Sequence, residues 1–156
     1  MKTVKKFMNE NVICLSPDDT IFDAARILSQ SNIAGAPVVE KDKIVGIISI
    51  SDIIRFIDIK MGKLPRIQTP GLSTLLLALI QMQKVRSDFK KELKKITATK
   101  IKDVMTKDVI TVSPSQTIID VAELMEKHDI NRLPVVDDGK IVGIVARADV
   151  IKSLIY

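Results

Sequence analysis

Two seven-residue segments carry the side chains most suited to ligand chemistry. The first runs from Gly46 to Asp52 and includes Ser49, and the second runs from Gly143 to Asp149. A glycine in a buried strand lets a backbone or a flat ligand approach closely. Each segment is predicted to pass from a strand into a helix N-terminus, which favours an anion such as phosphate. The Ser49 hydroxyl could bind that phosphate, and an aspartate one turn later could accept hydrogen bonds from a ribose diol.

The same spacing also has a purely structural interpretation. Ser49 and Asp52 are three residues apart, which is the spacing of a capping box at a helix N-terminus. In the second segment the hydroxyl is absent, because Ala146 replaces it, yet Asp149 remains. We interpret this retention as favouring a ligand-binding role, although Asp149 could also interact favourably with the helix dipole.

The two segments belong to a longer internal repeat. Residues 4–57 align with residues 101–154 at a constant offset of 97 and without a gap. A two-fold sequence repeat predicts a pseudo-symmetric structure with a cleft between its halves. Differences between the copies are informative, because each copy serves as a control for the other.

Each repeat is predicted to form a strand, a helix, two further strands and a second helix. Short β-rich runs at 12–15 and 109–112 stop at Ser-Pro, and Thr20 and Thr117 then open helices as capping residues. The remaining strands lie at 37–39 and 44–49, and at 134–136 and 141–146, with turns at 41–42 and 138–139. The second helices begin near Ser51 and Ala148. The predicted fold class is therefore α/β, of the α+β kind.

Composition excludes several functions. The single cysteine, Cys14, cannot form an internal disulfide, which fits a cytoplasmic protein. We expect Cys14 to be a small residue of the core. With one histidine, His128, predicted at the surface, no familiar metal site is expected, and no catalytic constellation or phosphate-loop glycine pattern is present. Aromatic residues make up 3% of the chain, too few for a single-stranded nucleic-acid platform. No apolar run approaches the length of a membrane span.

A basic connector joins the repeats. Residues 60–100 hold ten Lys and Arg against two Asp and Glu, within a chain whose net charge is +5. An apolar seam with steps of three and four residues predicts a long helix, interrupted by Arg86. The seam consists of Leu72, Leu75, Leu79, Met82, Arg86, Phe89, Leu93 and Ile96. The helix could pack on its own chain, self-associate, or bind nucleic acid or anionic lipid through its lysines. The predicted boundaries are 1–59, 60–100 and 101–156.

The repeated motifs resemble one known family. The second copy reads Asp-Val-Met-Thr, Val-Ser-Pro, Thr-Ile, Asn-Arg-Leu-Pro-Val-Val, Ile-Val-Gly-Ile-Val and Asp between residues 103 and 149, with a weaker copy at 6–52. This pattern resembles the cystathionine β-synthase (CBS) domain family, and two units in tandem resemble a Bateman module. The resemblance covers both repeats but not residues 60–100. It implies two β-α-β-β-α units paired about a pseudo-two-fold axis, with clefts that bind adenosyl ligands.

The resemblance also implies site residues, with each cleft shared between repeats. In one cleft, called here the Asp52 cleft, Ser49 would contact phosphate and Asp52 the ribose. Adenine would lie against the opposite repeat, from which Arg132 would supply a cation to bind the phosphate. The implied residues from that repeat are Val109, Ile110, Ile130, Asn131 and Arg132. The second, called here the Asp149 cleft, would use Val12, Ile13, Ile33, Ala34, Gly35, Arg147 and Asp149. Here the pattern departs from the family, because Ala146 replaces the hydroxyl and Gly35 replaces the arginine.

These observations predict a non-catalytic regulatory sensor of adenosine nucleotides (AMP, ADP or ATP), with no other cofactor. We expect a homodimer to which the connector helix contributes, and an unidentified regulated protein. The alternative is a nucleic-acid-binding or scaffolding protein that acts through the basic connector, with degenerate clefts serving only as architecture.

Overall fold

The computed structural model describes residues 1–61, 87, 88 and 90–156, which form two similar α/β units. The first repeat contains α1 (Ile21–Gln30), β1 (Gly35–Glu40), β2 (Lys43–Ser49) and α2 (Ile50–Met61). The second contains α3 (Ile118–His128), β3 (Arg132–Asp137), β4 (Lys140–Ala146) and α4 (Arg147–Ile155). Short 3-10 helices at Val4–Lys6 and Ile101–Asp103 precede them. The predicted order of helices and hairpin strands is confirmed.

Two antiparallel hairpins form the sheets, β1 with β2 and β3 with β4. Their tight turns adopt positive φ at Lys41 and Asp42 and at Asp138 and Gly139. Positive φ at both central residues twists the turn in the sense that matches paired strands. Each hairpin has a register shift, between Val38 and Val39 in one and at the equivalent residues of the other. β2 and β4 contact each other where the two units meet.

The first helix of each unit begins with the predicted cap. The Asp23 N–H donates to the Thr20 hydroxyl at 3.1 Å, and the Thr20 N–H donates back to the Asp23 carboxylate at 3.1 Å. Thr117 and Asp120 repeat the arrangement. Two free N–H groups of each helix are thereby satisfied, which fixes where the helix starts. The apolar face of α1 then buries Ile21, Ala24 and Leu28, and that of α3 buries Val121 and Met125.

The predicted strands at 12–15 and 109–112 are much shorter than expected. In the first, only Leu15 pairs, as a parallel bridge to Val38, and Val112 pairs in the same way with Val135. Leu15 fits the register shift of β1, donating to the Pro37 carbonyl and accepting from the Val39 N–H, both at 2.9 Å. The following Ser-Pro stops the pairing because proline has no N–H. The prediction for Cys14 was also wrong, since this residue lies one step outside the bridge and is exposed.

The hydrophobic cores do not follow the repeat boundaries. Ile101, which begins the second repeat, is fully buried in the core of the first unit, with Val104 and Met105 packed against it. Val4 is fully buried in the core of the second unit, where Phe7 and Met8 accompany it. The repeats therefore exchange their N-terminal segments. The boundaries at 59–60 and 100–101 remain predictions about the sequence repeat, because each packed unit draws on both copies.

Of the connector, the structure describes residues 60, 61, 87, 88 and 90–100. Residues 90–97 are helical, with Ile96 buried and Leu93 half-buried, whereas the lysines at 90, 91, 94 and 95 are exposed. The other seam positions, Leu72, Leu75, Leu79, Met82, Arg86 and Phe89, lie outside the described residues. Across residues 1–61, 87, 88 and 90–156, no helix is both long and apolar enough to cross a bilayer.

Candidate ligand-binding site

The β2–α2 junction positions Ser49 and Asp52. The Asp52 N–H donates to the Ser49 hydroxyl at 3.1 Å, and the Ser49 N–H donates to Oδ2 of Asp52 at 2.9 Å. This capping box is the structural alternative that the spacing allowed. It does not exhaust either side chain, because the Ser49 hydroxyl accepts this bond and keeps its own proton to donate. Oδ1 of Asp52 lies 3.5 Å from the exposed Arg55 guanidinium, in a carboxylate side chain that is 15% exposed.

The β4–α4 junction retains half of the same device. The Ala146 N–H donates to Oδ2 of Asp149 at 2.8 Å, although Ala146 offers no hydroxyl in return. Asp149 thus has a structural partner that does not depend on the missing hydroxyl. Its retention therefore does not by itself favour ligand binding.

The residues predicted for the Asp52 cleft line one cavity of about 370 Å³ between the repeats. Ser49 and Asp52 come from the first repeat, and the opposite wall comes from the second. That wall contains Val109, Ile110, Ile130, Asn131 and Arg132. The structure therefore brings together every residue that the resemblance implied for this cleft, including side chains eighty positions apart.

The cavity is also lined by residues that were not predicted from the sequence. They are Ile47, Ser51, Arg55, Thr106, Asp108, Asp129 and Pro134. Arg55 follows Asp52 by three residues, a spacing that places two helical residues on one face and could have identified it. Asp108 and Asp129 each precede a predicted residue, and Asp129 adopts positive φ at the end of α3. The lining thus combines aspartates, arginines and an apolar wall.

Arg132 places a cation from the second repeat beside residues of the first. Burial lowers the pKa of its guanidinium below the ordinary value, and the nearby Asp52 carboxylate acts in the opposite direction. An arginine remains charged under such conditions because its guanidinium is a very strong base. Its side chain also passes over Gly35: a Cβ built on that glycine would lie 2.7 Å from Nη1 of Arg132. One cavity wall therefore holds a positive charge close to the carboxylate of the other repeat.

The residues predicted for the Asp149 cleft have more varied surroundings. Ile33 and Ala34 line an apolar groove between α1 and α2 of about 510 Å³. Gly35 is buried against Arg132, while Val12 is half-buried and Ile13 is 38% exposed. Arg147 lies 3.8 Å from the exposed carboxylate of Asp129, a residue that lines the Asp52 cavity. The assignment of this second cleft as a ligand site stays a prediction.

Residues 4–59 and 101–156 match the CBS domain family, and together they make up most of the chain. The chain belongs to the CBS domain family. It contains two CBS repeats in the paired arrangement described above.

Relatives and solved structures agree with this CBS assignment. The chain is 42% identical over 154 residues to the uncharacterized protein MJ1426 of Methanocaldococcus jannaschii, covering 97% of this chain and 90% of that one. It is similar to the crystal structure of CBSX2 in complex with AMP, with a TM-score of 0.70, 25% identity and coverage of 99% and 97%. It is also similar to the crystal structure of the CBS domain pair of protein MJ0100 in complex with 5′-methylthioadenosine and S-adenosyl-L-methionine, with a TM-score of 0.69, 28% identity and coverage of 99% of this chain and 98% of that one.

Proposed function

We propose that this CBS pair is a regulatory sensor that binds AMP, ADP or ATP in the Asp52 cleft. The observation that carries the proposal is the shared cavity, in which Ser49 and Asp52 face Arg132 and an apolar wall from the other repeat. Binding in such a cavity would bridge the repeats, so that ligand could report on their relative arrangement. Two similar CBS structures hold adenosine-containing ligands, which supports the ligand class.

The chemistry of the lining suits each part of an adenosine nucleotide. The Ser49 hydroxyl proton and the Arg132 guanidinium are donors for phosphate oxygens, and charged donors of this kind make the stronger hydrogen bonds. Oδ1 of Asp52 is an acceptor for ribose hydroxyls. Ile110 and Ile130 offer an apolar surface for a flat base. Ser49 and Asp52 keep their capping bonds in this arrangement, so helix α2 fixes their positions before ligand arrives.

The proposed role is regulatory and not catalytic. We propose that the protein acts in the cytoplasm on a partner whose identity the sequence does not indicate.

We also propose that the protein forms a homodimer. Equivalent apolar side chains are exposed on the helices of both units, namely Phe22, Ile54, Ile119 and Ile151, and a second copy could cover them.

Calorimetric titration with AMP and with ATP tests the proposal. We expect saturable binding to the wild-type chain, with a loss of affinity in Arg132→Ala and in Asp52→Ala at the same binding event, because both side chains line one cavity. Absence of binding by any adenosine ligand would contradict the proposal. Steeply salt-dependent binding of RNA or DNA that survives Asp52→Ala would favour the alternative function through the basic connector.

A further inference from the structure

Gly35 and Arg132 occupy equivalent positions in the two repeats, yet they are in contact. Built on the Gly35 backbone, a Cβ would lie 2.7 Å from Nη1 of Arg132 and 3.0 Å from both Cδ and Cζ. Gly35 is itself buried. The arginine side chain therefore occupies the space that a side chain at position 35 would need. Only one of the two equivalent positions can carry a large side chain in this arrangement.

The strand register shows where that space lies. Gly35 is the Cα partner of Ser49 in the first hairpin, and Arg132 is the Cα partner of Ala146 in the second. Side chains of directly opposed residues project from the same face of an antiparallel pair. The space above Gly35 therefore adjoins Ser49, and Arg132 reaches it from the other repeat.

We propose that Gly35 is a positioning residue, which admits the Arg132 guanidinium beside Ser49 and thereby gives the Asp52 cleft its preference for phosphate-bearing adenosine ligands. This inference rests on the proposed function. It replaces the expected role of Gly35 as a ligand contact in the Asp149 cleft. It also explains the asymmetry of the pair, because the volume needed by a second cation at position 35 is already filled by the first.

Gly35→Ala is the variant that tests this role. The φ of Gly35 lies outside the left-handed region, so alanine is compatible with the backbone. The nearest contacting atom is the far end of a flexible arginine, which can move aside without unfolding the chain. We expect AMP affinity to fall about ten- to a hundredfold, the effect of losing a hydrogen bond to a charged group. Adenosine affinity should not change, because adenosine carries no phosphate for Arg132 to bind.

The control is the same substitution in an Arg132→Ala background, where Gly35→Ala should have no additional effect on AMP affinity. The inference would be overturned if the Gly35→Ala variant bound AMP as tightly as the wild type while the Arg132→Ala variant did not. The proposed function would still stand in that case. Equal losses for adenosine and AMP would also overturn it, since they would indicate general damage to the cleft. A wild-type chain that binds neither ligand would overturn the proposed function itself, and this inference with it.

Discussion

Ile47 of the first repeat and Thr106 of the second exchange two backbone hydrogen bonds, each 2.9 Å long. Asn9 and Ile144 form the reciprocal pair, at 2.9 and 3.0 Å. These bonds join β2 and β4 to the N-terminal segment of the opposite repeat. Ile47 and Thr106 also line the Asp52 cavity, so the exchange of segments builds part of its wall.

Substitution of Gly46 tests the packing of the exchanged segments. A Cβ at Gly46 would overlap the Met105 side chain and lie 3.0 Å from the Thr106 carbonyl oxygen. Because one of these contacts is backbone, we expect Gly46→Ala to destabilise the fold by about 1–3 kcal/mol, the usual cost of overpacking. Urea denaturation measures this directly.

Met105→Ala provides the matched background for the same experiment. With the methionine truncated, the penalty for Gly46→Ala should shrink, because the overlap with the sulfur is removed. An undiminished penalty would show that Met105 is not the obstacle. Gly143→Ala, which would meet Met8 at 2.6 Å, should reproduce the result in the other unit.

The sequence predicted local structure well because local structure depends on nearby residues. Thr20 with Asp23 predicted a cap, and the turn at Asp138 and Gly139 predicted a hairpin; both are present. The strand at 12–15 failed because its pairing depends on a register shift in another strand, where only Leu15 fits. β-rich composition alone does not determine how many residues of a segment pair with a neighbouring strand.

The exchange of segments could not be predicted, for a reason of symmetry. Met8 and Met105 are equivalent in the repeat, as are Gly46 and Gly143. Nothing in the sequence distinguishes packing of a methionine on its own copy from packing on the other. The contact between Gly35 and Arg132 could not be predicted either, because the alignment shows only that one copy has glycine where the other has arginine. That the two residues touch is known only from the distance between them in the fold.

The capping carboxylates predict how stability depends on pH. Hydrogen bonds from the Thr20 backbone and hydroxyl hold the pKa of Asp23 below its ordinary value of 3.8, and Thr117 does the same for Asp120. Since the folded-state pKa is lowered, the stabilisation is complete above the ordinary pKa. It declines below that pH and is lost once the pH has fallen past the folded-state pKa.

Thermal unfolding between pH 7 and pH 3 checks this prediction. Wild-type melting temperature should fall at the acid end of the range, and the double variant Asp23→Asn with Asp120→Asn should show a smaller fall. Identical pH profiles for the two chains would assign the acid sensitivity to other carboxylates.

The proposed homodimer predicts a response to charge on the exposed helix faces. Ile54 and Ile151 are equivalent residues that are 62% and 58% exposed. Light scattering should give twice the monomer mass for the wild type, and Ile54→Lys with Ile151→Lys should shift it toward the monomer. Each lysine would have to be buried without a partner in the interface, which is costly.

Two results would change this view of the dimer. A wild-type monomer at tens of micromolar would contradict the proposed assembly. A dimer that tolerates both lysines but dissociates with Leu79→Lys and Phe89→Lys would assign the interface to the connector, whose positions 79 and 89 lie outside the described residues.

The most direct test of the account compares Asp52→Ala with Asp149→Ala in a calorimetric AMP titration. The two variants are matched, because each removes a carboxylate that accepts a backbone N–H at a helix start, at 2.9 and 2.8 Å. A nucleotide site in the Asp52 cleft predicts that Asp52→Ala weakens the tighter binding event about ten- to a hundredfold. Asp149→Ala should leave that event unchanged. Equal losses in the two variants, or a loss only in Asp149→Ala, would contradict the account.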